Sequence, residues 1–190
     1  ACAALGEIRS ALGKTQNLKG HRFCWITDFP LFEWDAEGSR RDPSHHPFSM
    51  PNDEDLDRLE SDPGSVRGQV YDLVINGVEL GSGSIRIHDR SLQERVFSLI
   101  GINREESRRR FGFMLDAFRY GPPPHGGIAF GLDRLVMIMA GQPTIREVIA
   151  FPKNTAMASL MDGSPAEVDS EQLTQVGLQV TATKNDDEAI

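Results

Sequence analysis

Two runs rich in apolar and β-branched residues, GQVYDLVI and VELGSGSIRIH, meet at Asn76-Gly77, and no other stretch restricts the fold as much. Asn-Gly accepts the positive φ angles that a two-residue hairpin needs, so residues 68–88 are expected to form two adjacent antiparallel strands. The second strand carries one acid, Glu79, and one base, Arg86, on either side of Gly81-Ser82-Gly83. Their odd separation puts them on opposite faces of a regular strand. A bulge in the Gly-Ser-Gly stretch brings them to one face. At roughly 3.3 Å per residue they stand about 20 Å apart, too far for an ion pair. Two readings are open. The pair serves the two ends of one long ligand, Glu79 holding a cation and Arg86 gripping a carboxylate with its bidentate fork. Or each belongs to an ordinary surface ion pair beside a hairpin. Asp72 precedes the turn and can reach the same cation, since Mg²⁺ takes one or two carboxylates plus phosphate oxygens.

The remaining elements follow from periodicity and punctuation. Residues 1–12 read as a helix end, with Gly13 as its stop. RFCWITDFPLFEW (22–34) reads as a strand bent or ended at Pro30. Residues 35–51 are polar and proline-bounded, hence a loop, and carry His45 and His46. Asn52 caps a short acidic helix that stops at Asp62-Pro63-Gly64. Ser91 and Glu94 form a capping box for a helix over 91–100, and Asn103 opens a second one over 103–120. GPPPHGG (121–127) reads as irregular. GIAFGLDRLVMIMAG then gives a short strand running into an apolar helix that ends at Gly141, and Thr144 with Glu147 caps one more turn. Beyond Lys153 periodicity is lost, and TATKNDDEAI reads as a disordered acidic tail. A hairpin followed by helices implies α+β with an antiparallel sheet flanked by helices. No G-x-G-x-x-G follows a strand, and no P-loop is present.

Composition narrows the class. With 190 residues and 39% apolar content, the chain can bury a core of one to one and a half domains. The net charge of −8 argues against a nucleic-acid-binding surface over the whole chain while leaving room for a local one. No apolar run approaches a membrane span. Cys2 and Cys24 lack metal or redox spacing, and Cys24, inside FCWI, is expected to be a buried thiol in a reducing, cytoplasmic setting. The opening ACAALGEIRSALG starts mid-pattern without Met. That sets the expectation of a piece of a longer protein, or of a chain whose Met has been removed.

Three further stretches bear on chemistry. In GGIAFGLDRL, Gly127, Ala129 and Gly131 alternate with Ile128, Phe130 and Leu132, so a strand here has one bare and one apolar face. A bare face admits a flat ring against the backbone. Arg134 falls in the first helical turn, where guanidinium and helix N-terminus together suit a phosphate; the bland alternative is tight packing with Asp133 and Arg134 solvated. His45 and His46 lack a third metal ligand at useful spacing, which leaves a substrate-touching histidine or exposed loop histidines. In EESRRR, Glu105 with Arg109 and Glu106 with Arg110 stand at i,i+4 and read as a solvated helix face.

Taken together, DFPLFEW…HHPF, YDLVINGVELGSGSIRIH and YGPPPHGGIAFGLDRLVMIMAG…IREVIAFPK resemble the C-terminal part of the catalytic domain of bacterial-type aspartyl-tRNA synthetases. The resemblance spans nearly all of residues 23–153. It implies a class II catalytic fold over 21–153, the end of an inserted domain with its link over 1–20, and a C-terminal extension over 154–190. It further implies that Gly131, Leu132, Asp133 and Arg134 are motif 3, the ATP-binding stretch, with Arg134 at the γ-phosphate. Glu79 is then the ATP- and magnesium-binding acid with Asp72 as helper. Arg86 clamps the substrate aspartate side chain, and His45 contacts aspartate with His46 beside it. The ligands implied are L-aspartate, ATP with Mg²⁺, and tRNA-Asp. Whether tRNA-Asn is charged as well is decided in parts outside this chain. No membrane is involved, and the parent enzyme is expected to be a cytoplasmic homodimer.

Departures from the family pattern matter as much. Motif 1, motif 2 (whose arginine grips the α-phosphate) and the anticodon-binding barrel precede this segment in the family, and the chain holds none of them. Ser82 stands where the family more often has glycine. The chain alone is therefore expected to be inactive, with chemistry that positions and neutralises and no nucleophile or general base of its own. Two other readings stay open: an asparaginyl- or lysyl-type synthetase, and a non-catalytic module that binds a nucleotide or a partner.

Overall fold

The structure is a computed structural model that describes residues 2–16 and 19–181. Apart from Thr181, the acidic tail expected from the sequence lies outside the described residues. The chain divides into two compact units, Ala1–Leu135 and Val136–Ile190. The first holds helix α1 (Cys2–Thr15), strands β1 (Phe23–Thr27), β2 (Phe32–Asp35), β3 (Arg40–Pro43), β4 (Val70–Ile75), β5 (Val78–Arg86) and β6 (His125–Phe130), and helices α2 (Arg90–Leu99) and α3 (Arg104–Ala117). Helix α4 (Leu132–Met139) begins at its end. The second unit holds short helical turns, among them one at Ile145–Glu147 whose Thr144 side chain accepts from the Arg146 amide, and α5 (Ser170–Gln175), which periodicity did not reveal. Among the described residues no helix is long and apolar enough to cross a membrane.

The antiparallel sheet expected from the hairpin is present, in the order β1-β4-β5-β6. Asn76 and Gly77 turn the β4–β5 hairpin with φ of 50° and 81°, the left-handed pair that Asn-Gly supplies. A second, two-stranded sheet joins β2 to β3.

Several local expectations change in instructive ways. The 22–34 run is two strands, because Asp28 takes φ 59° and turns the chain before Pro30. Residues 35–51 are not wholly a loop: Arg40–Pro43 pairs back onto β2 despite its charges, since strand residues of which none is fully buried need no apolar alternation. Helix α1 runs through Gly13, at the cost of about 1 kcal/mol that glycine imposes relative to alanine. Asp89, not Ser91, caps α2, accepting from the Leu92 amide; Asp is as strong a cap as Ser and comes first. Asn103 caps α3 as expected, and of the two spaced pairs the Glu106–Arg110 bridge forms, at 2.9 Å. Asn52 makes no side-chain cap and donates instead to Asp28. His125, Gly126 and Gly127 are strand, not irregular: pairing starts as soon as the prolines, which lack N–H donors, have passed. Cys24 is exposed rather than buried, since β1 is a sheet edge along which most side chains are open.

The core lies beside the sheet rather than under it. Leu31, Phe32, Leu59, Val66, Ile87, Leu92 and Val96 form one buried cluster that joins β2, the 53–66 segment, the end of β5 and α2. Phe97, 1% exposed, stacks on Phe111 at 5.0 Å between centroids and meets Phe48 edge-on, tying α2 and α3 to the His45-His46 loop. Asp55 is the one fully buried carboxylate among the described residues. It accepts from the Arg67 amide at 2.9 Å and from Arg67 Nε at 2.8 Å, and pairs with Arg58. Arg67 reaches on to Glu54 and Asp28.

Phe97→Ala is expected to cost about 3–5 kcal/mol in denaturant unfolding, the usual range for emptying a packed aromatic site. The Arg67 hydrogen bonds hold the Asp55 carboxyl well below the usual carboxylate range. A depressed folded-state pKa gives stability that is complete above the unfolded value of about 3.9 and fades as pH falls below it. Asp55→Asn should therefore unfold in less urea than the parent at pH 6, with the gap narrowing at pH 3.

Candidate ligand-binding face of the sheet

In an antiparallel sheet, residues directly opposite share a face. Ile26, Asp72, Ser82 and Ala129 form one such row across the four strands, and Val70, Ser84 and Gly127 form the next. Arg86 pairs with His125 on the same side. The ladder between β4 and β5 shifts between Leu73 and Val74: Leu73 faces Gly81, and Val74 faces Glu79. Leu80 is thus left over, and Glu79 joins the face of Asp72 and Arg86. The bulge required to unite the acid and the base is present, one residue ahead of the Gly-Ser-Gly.

On the β6 side the ladder continues past Phe130 without a shift. The Leu80 carbonyl accepts from the Gly131 amide at 2.8 Å, and Arg134 Nη1 donates to the Glu79 carbonyl at 2.7 Å. The strand-to-helix turn that carries Gly131, Leu132, Asp133 and Arg134 is therefore pinned to the Glu79 end of β5. Leu132 opens α4 with its side chain exposed, and Asp133 lies in the first turn. Cation and acid stand together at one end of the face, with Arg86 about 20 Å away at the other.

Between them the floor is low: Ser82 from β5, Gly127 and Ala129 from β6, with Ser84 buried against the His46 ring. A Cβ at Gly127 would meet nothing within 4 Å. The glycines of β5 have another purpose than the sequence suggested. Gly81 and Gly83 point to the opposite face, where a Cβ on Gly81 would lie 2.8 Å from the Phe130 ring and one on Gly83 2.6 Å from Tyr71, whose hydroxyl donates to the Gly127 carbonyl. That opposite face is apolar and open, with Trp25 57% and Phe130 53% exposed.

At the Arg86 end, the 46–52 segment lies along β5 and the chain preceding β4. The Ile87 amide donates to the Phe48 carbonyl, Met50 to Ile85, and Gln69 to Met50. Gln93, fully buried on α2, donates to the Pro47 carbonyl at 2.7 Å. The two histidines point apart at the bend before Pro47. His46 turns inward to Arg86, while His45 is exposed and meets the Phe29 ring edge-on at 5.2 Å. Burial and the neighbouring Arg86 push His46 down to about 4. Ser84, Gln93 and His125 carry no sequence signal of their own; strand register places Ser84 and His125 here, and the packing of α2 places Gln93.

Asp72 and Glu79 stand two strand positions apart on one face, about 7 Å along the strand. Asp72 Oδ1 is buried without a hydrogen-bond partner. An unmatched buried carboxylate oxygen next to a second acid suits a divalent cation that keeps phosphate oxygens and water as its other ligands. No cluster of three or more metal-ligating side chains exists among the described residues, so a closed all-protein site is not formed there.

A family model for tRNA synthetases class II (D, K and N) matches residues 6–155. The chain is 54% identical over 182 residues to the aspartate–tRNA(Asp/Asn) ligase of Treponema pallidum, covering 94% of this chain and 30% of that protein. It is 51% identical over 191 residues to the aspartate–tRNA ligase of Clostridium beijerinckii, 97% of this chain and 32% of that one. In three dimensions it is similar to an aspartyl-tRNA synthetase from Entamoeba histolytica, with a TM-score of 0.55, 25% identity, and coverage of 81% of this chain and 27% of the other. The chain thus spans about a third of the length of the relatives it matches.

Gly83→Ala is expected to lower the thermal midpoint of the chain by several degrees, since neither the Tyr71 ring nor the Gly127 backbone can yield. Gly127→Ala should leave the midpoint within about a degree, its Cβ standing in open space. Differential scanning calorimetry of the two variants separates the two faces.

Proposed function

The chain belongs to the class II tRNA synthetases (D, K and N), and we propose that its polar sheet face is the aspartate- and ATP-binding portion of an aspartate–tRNA ligase active site. The reaction is ATP-dependent activation of L-aspartate to aspartyl-adenylate, with pyrophosphate released, followed by transfer to the 3′ end of tRNA-Asp. The observation that carries the reading is the β5 register shift, which sets Glu79 and Arg86 on one face at opposite ends of a bare floor. That arrangement fits a ligand with polyphosphate at one end and a carboxylate at the other.

Each residue has a physical task. Arg86 grips the aspartate side-chain carboxylate, which a guanidinium fork matches better than an ammonium does. Arg134, backed by the Glu79 carbonyl, neutralises the outer phosphates. Gly127 and Ala129 let the adenylate lie against the backbone. Asp72 and Glu79 would hold Mg²⁺, which supplies charge neutralisation at the phosphates. His45, exposed at the mouth of the Arg86 end, contacts the amino acid as it enters. None of these groups is a nucleophile; the face works by orientation and charge. The family's α-phosphate arginine has no counterpart here, so catalysis requires residues from outside this chain.

The test replaces the matching third of the Treponema pallidum ligase with this chain and measures aspartate-dependent ATP–pyrophosphate exchange. The chimera should exchange, the chain alone should not, and Arg86→Ala in the chimera should lose at least about 100-fold in kcat/KM, in line with removing a charge-assisted bond. Gly127→Val should raise the KM for ATP while the protein stays folded. A folded chimera without exchange, or full activity in Arg86→Ala, would contradict the proposal.

A further inference from the structure

Arg86 reaches the site already held. Its Nη1 donates to His46 Nδ1 at 3.0 Å. The same nitrogen accepts from the Phe48 amide at 3.2 Å and lies 3.4 Å from Ser49 Oγ. The other ring nitrogen, Nε2, lies 3.3 Å from Ser84 Oγ. Ser49 and Ser84 are almost fully buried. A guanidinium and a backbone amide have only protons to give, so Nδ1 must present a lone pair. The ring proton therefore sits on Nε2 and is donated to Ser84. An imidazolium would set an N–H against two donors.

We propose that His46 is not a substrate ligand but a positioning residue: a neutral imidazole, fixed as the Nε2–H tautomer between Ser84 and Arg86, that holds the guanidinium in place for the carboxylate. This inference rests on the reading of Arg86 as the aspartate clamp. The physics is that of a preorganised binding group. A free arginine side chain loses about 2 kcal/mol of rotamer entropy when immobilised, and a ring that has already restrained it removes part of that cost from ligand binding. The adjacent Ser49–Arg86 bridge between backbones and the Gln93 bond to Pro47 keep the ring from swinging away. Ser84 thereby gains a role that its place on the face did not suggest, orienting the ring from behind.

Two measurements test this. On the 190-residue chain, long-range ¹H–¹⁵N NMR of the imidazoles should report His46 protonated at Nε2 alone at pH 7. A ring protonated at Nδ1, or at both nitrogens, would overturn the proposal. In the chimeric ligase, His46→Ala should raise the KM for aspartate roughly tenfold, with the KM for ATP and kcat little changed, as loss of one charge-assisted bond implies. His46→Asn, whose amide oxygen can stand where Nδ1 does, should recover most of that loss. His46→Gln, which reaches only the Ser84 side, should not. Equal damage to both KM values, or no distinction between Asn and Gln, marks a merely structural residue and sinks the inference. If Arg86→Ala leaves the KM for aspartate unmoved, the clamp reading itself fails, and this inference fails with it. A raised KM in Arg86→Ala beside an unaffected His46→Ala would leave the clamp standing and remove only the role of His46.

Discussion

One slipped step in a β-ladder organises this site. Had β5 paired with β4 in unbroken alternation, Glu79 would face the apolar side with Trp25 and Phe130, and no single ligand could meet both it and Arg86. The shift between Leu73 and Val74 turns the first two residues of β5 over. On the β6 side the ladder runs on undisturbed: the Leu80 carbonyl accepts from the Gly131 amide, which fixes the start of α4 and with it Arg134. A bulge is a local cost in lost pairing. Here the cost falls on the β4 side alone, while on the other side the turn after β6 keeps its Gly131 bond to Leu80 and Arg134 reaches the Glu79 carbonyl.

The second organising device is the 46–52 segment, which extends the sheet at the Arg86 end without being a full strand. It is held on three sides: by main-chain bonds to Ile85, Ile87 and Gln69, by buried Gln93, and by Phe48 set edge-on against the stacked Phe97 and Phe111. The rigid cluster of Leu31, Leu59, Val66, Ile87 and Val96 stands behind it. The polar end of the site is thus mounted on the buried cluster, while the β1 and β6 strands are largely exposed.

The hairpin, the antiparallel sheet, the strand-to-helix turn at 131–134 and the pairing of a bare with an apolar face on β6 were all legible, because each depends on a short-range rule: turn chemistry, period two, or capping. Long-range register was not. It decided that Gly81 and Gly83 make room for Phe130 and Tyr71, that His46 rather than His45 meets Arg86, and that His125 stands opposite it. Cys24 is exposed for a related reason. An apolar run implies burial only if something covers the strand, and β1 is an edge. Asp89 took the cap of α2 from Ser91 because two good caps stood two residues apart, and sequence alone does not rank them.

The most direct test of the account is a crystal structure of the chimeric ligase with a non-hydrolysable aspartyl-adenylate. The ligand is expected across Gly127 and Ala129, its aspartate carboxylate on Arg86 and its phosphate toward Glu79 and Arg134. A ligand seated on the opposite face, against Trp25 and Phe130, or one that touches only one end of β5, would contradict it.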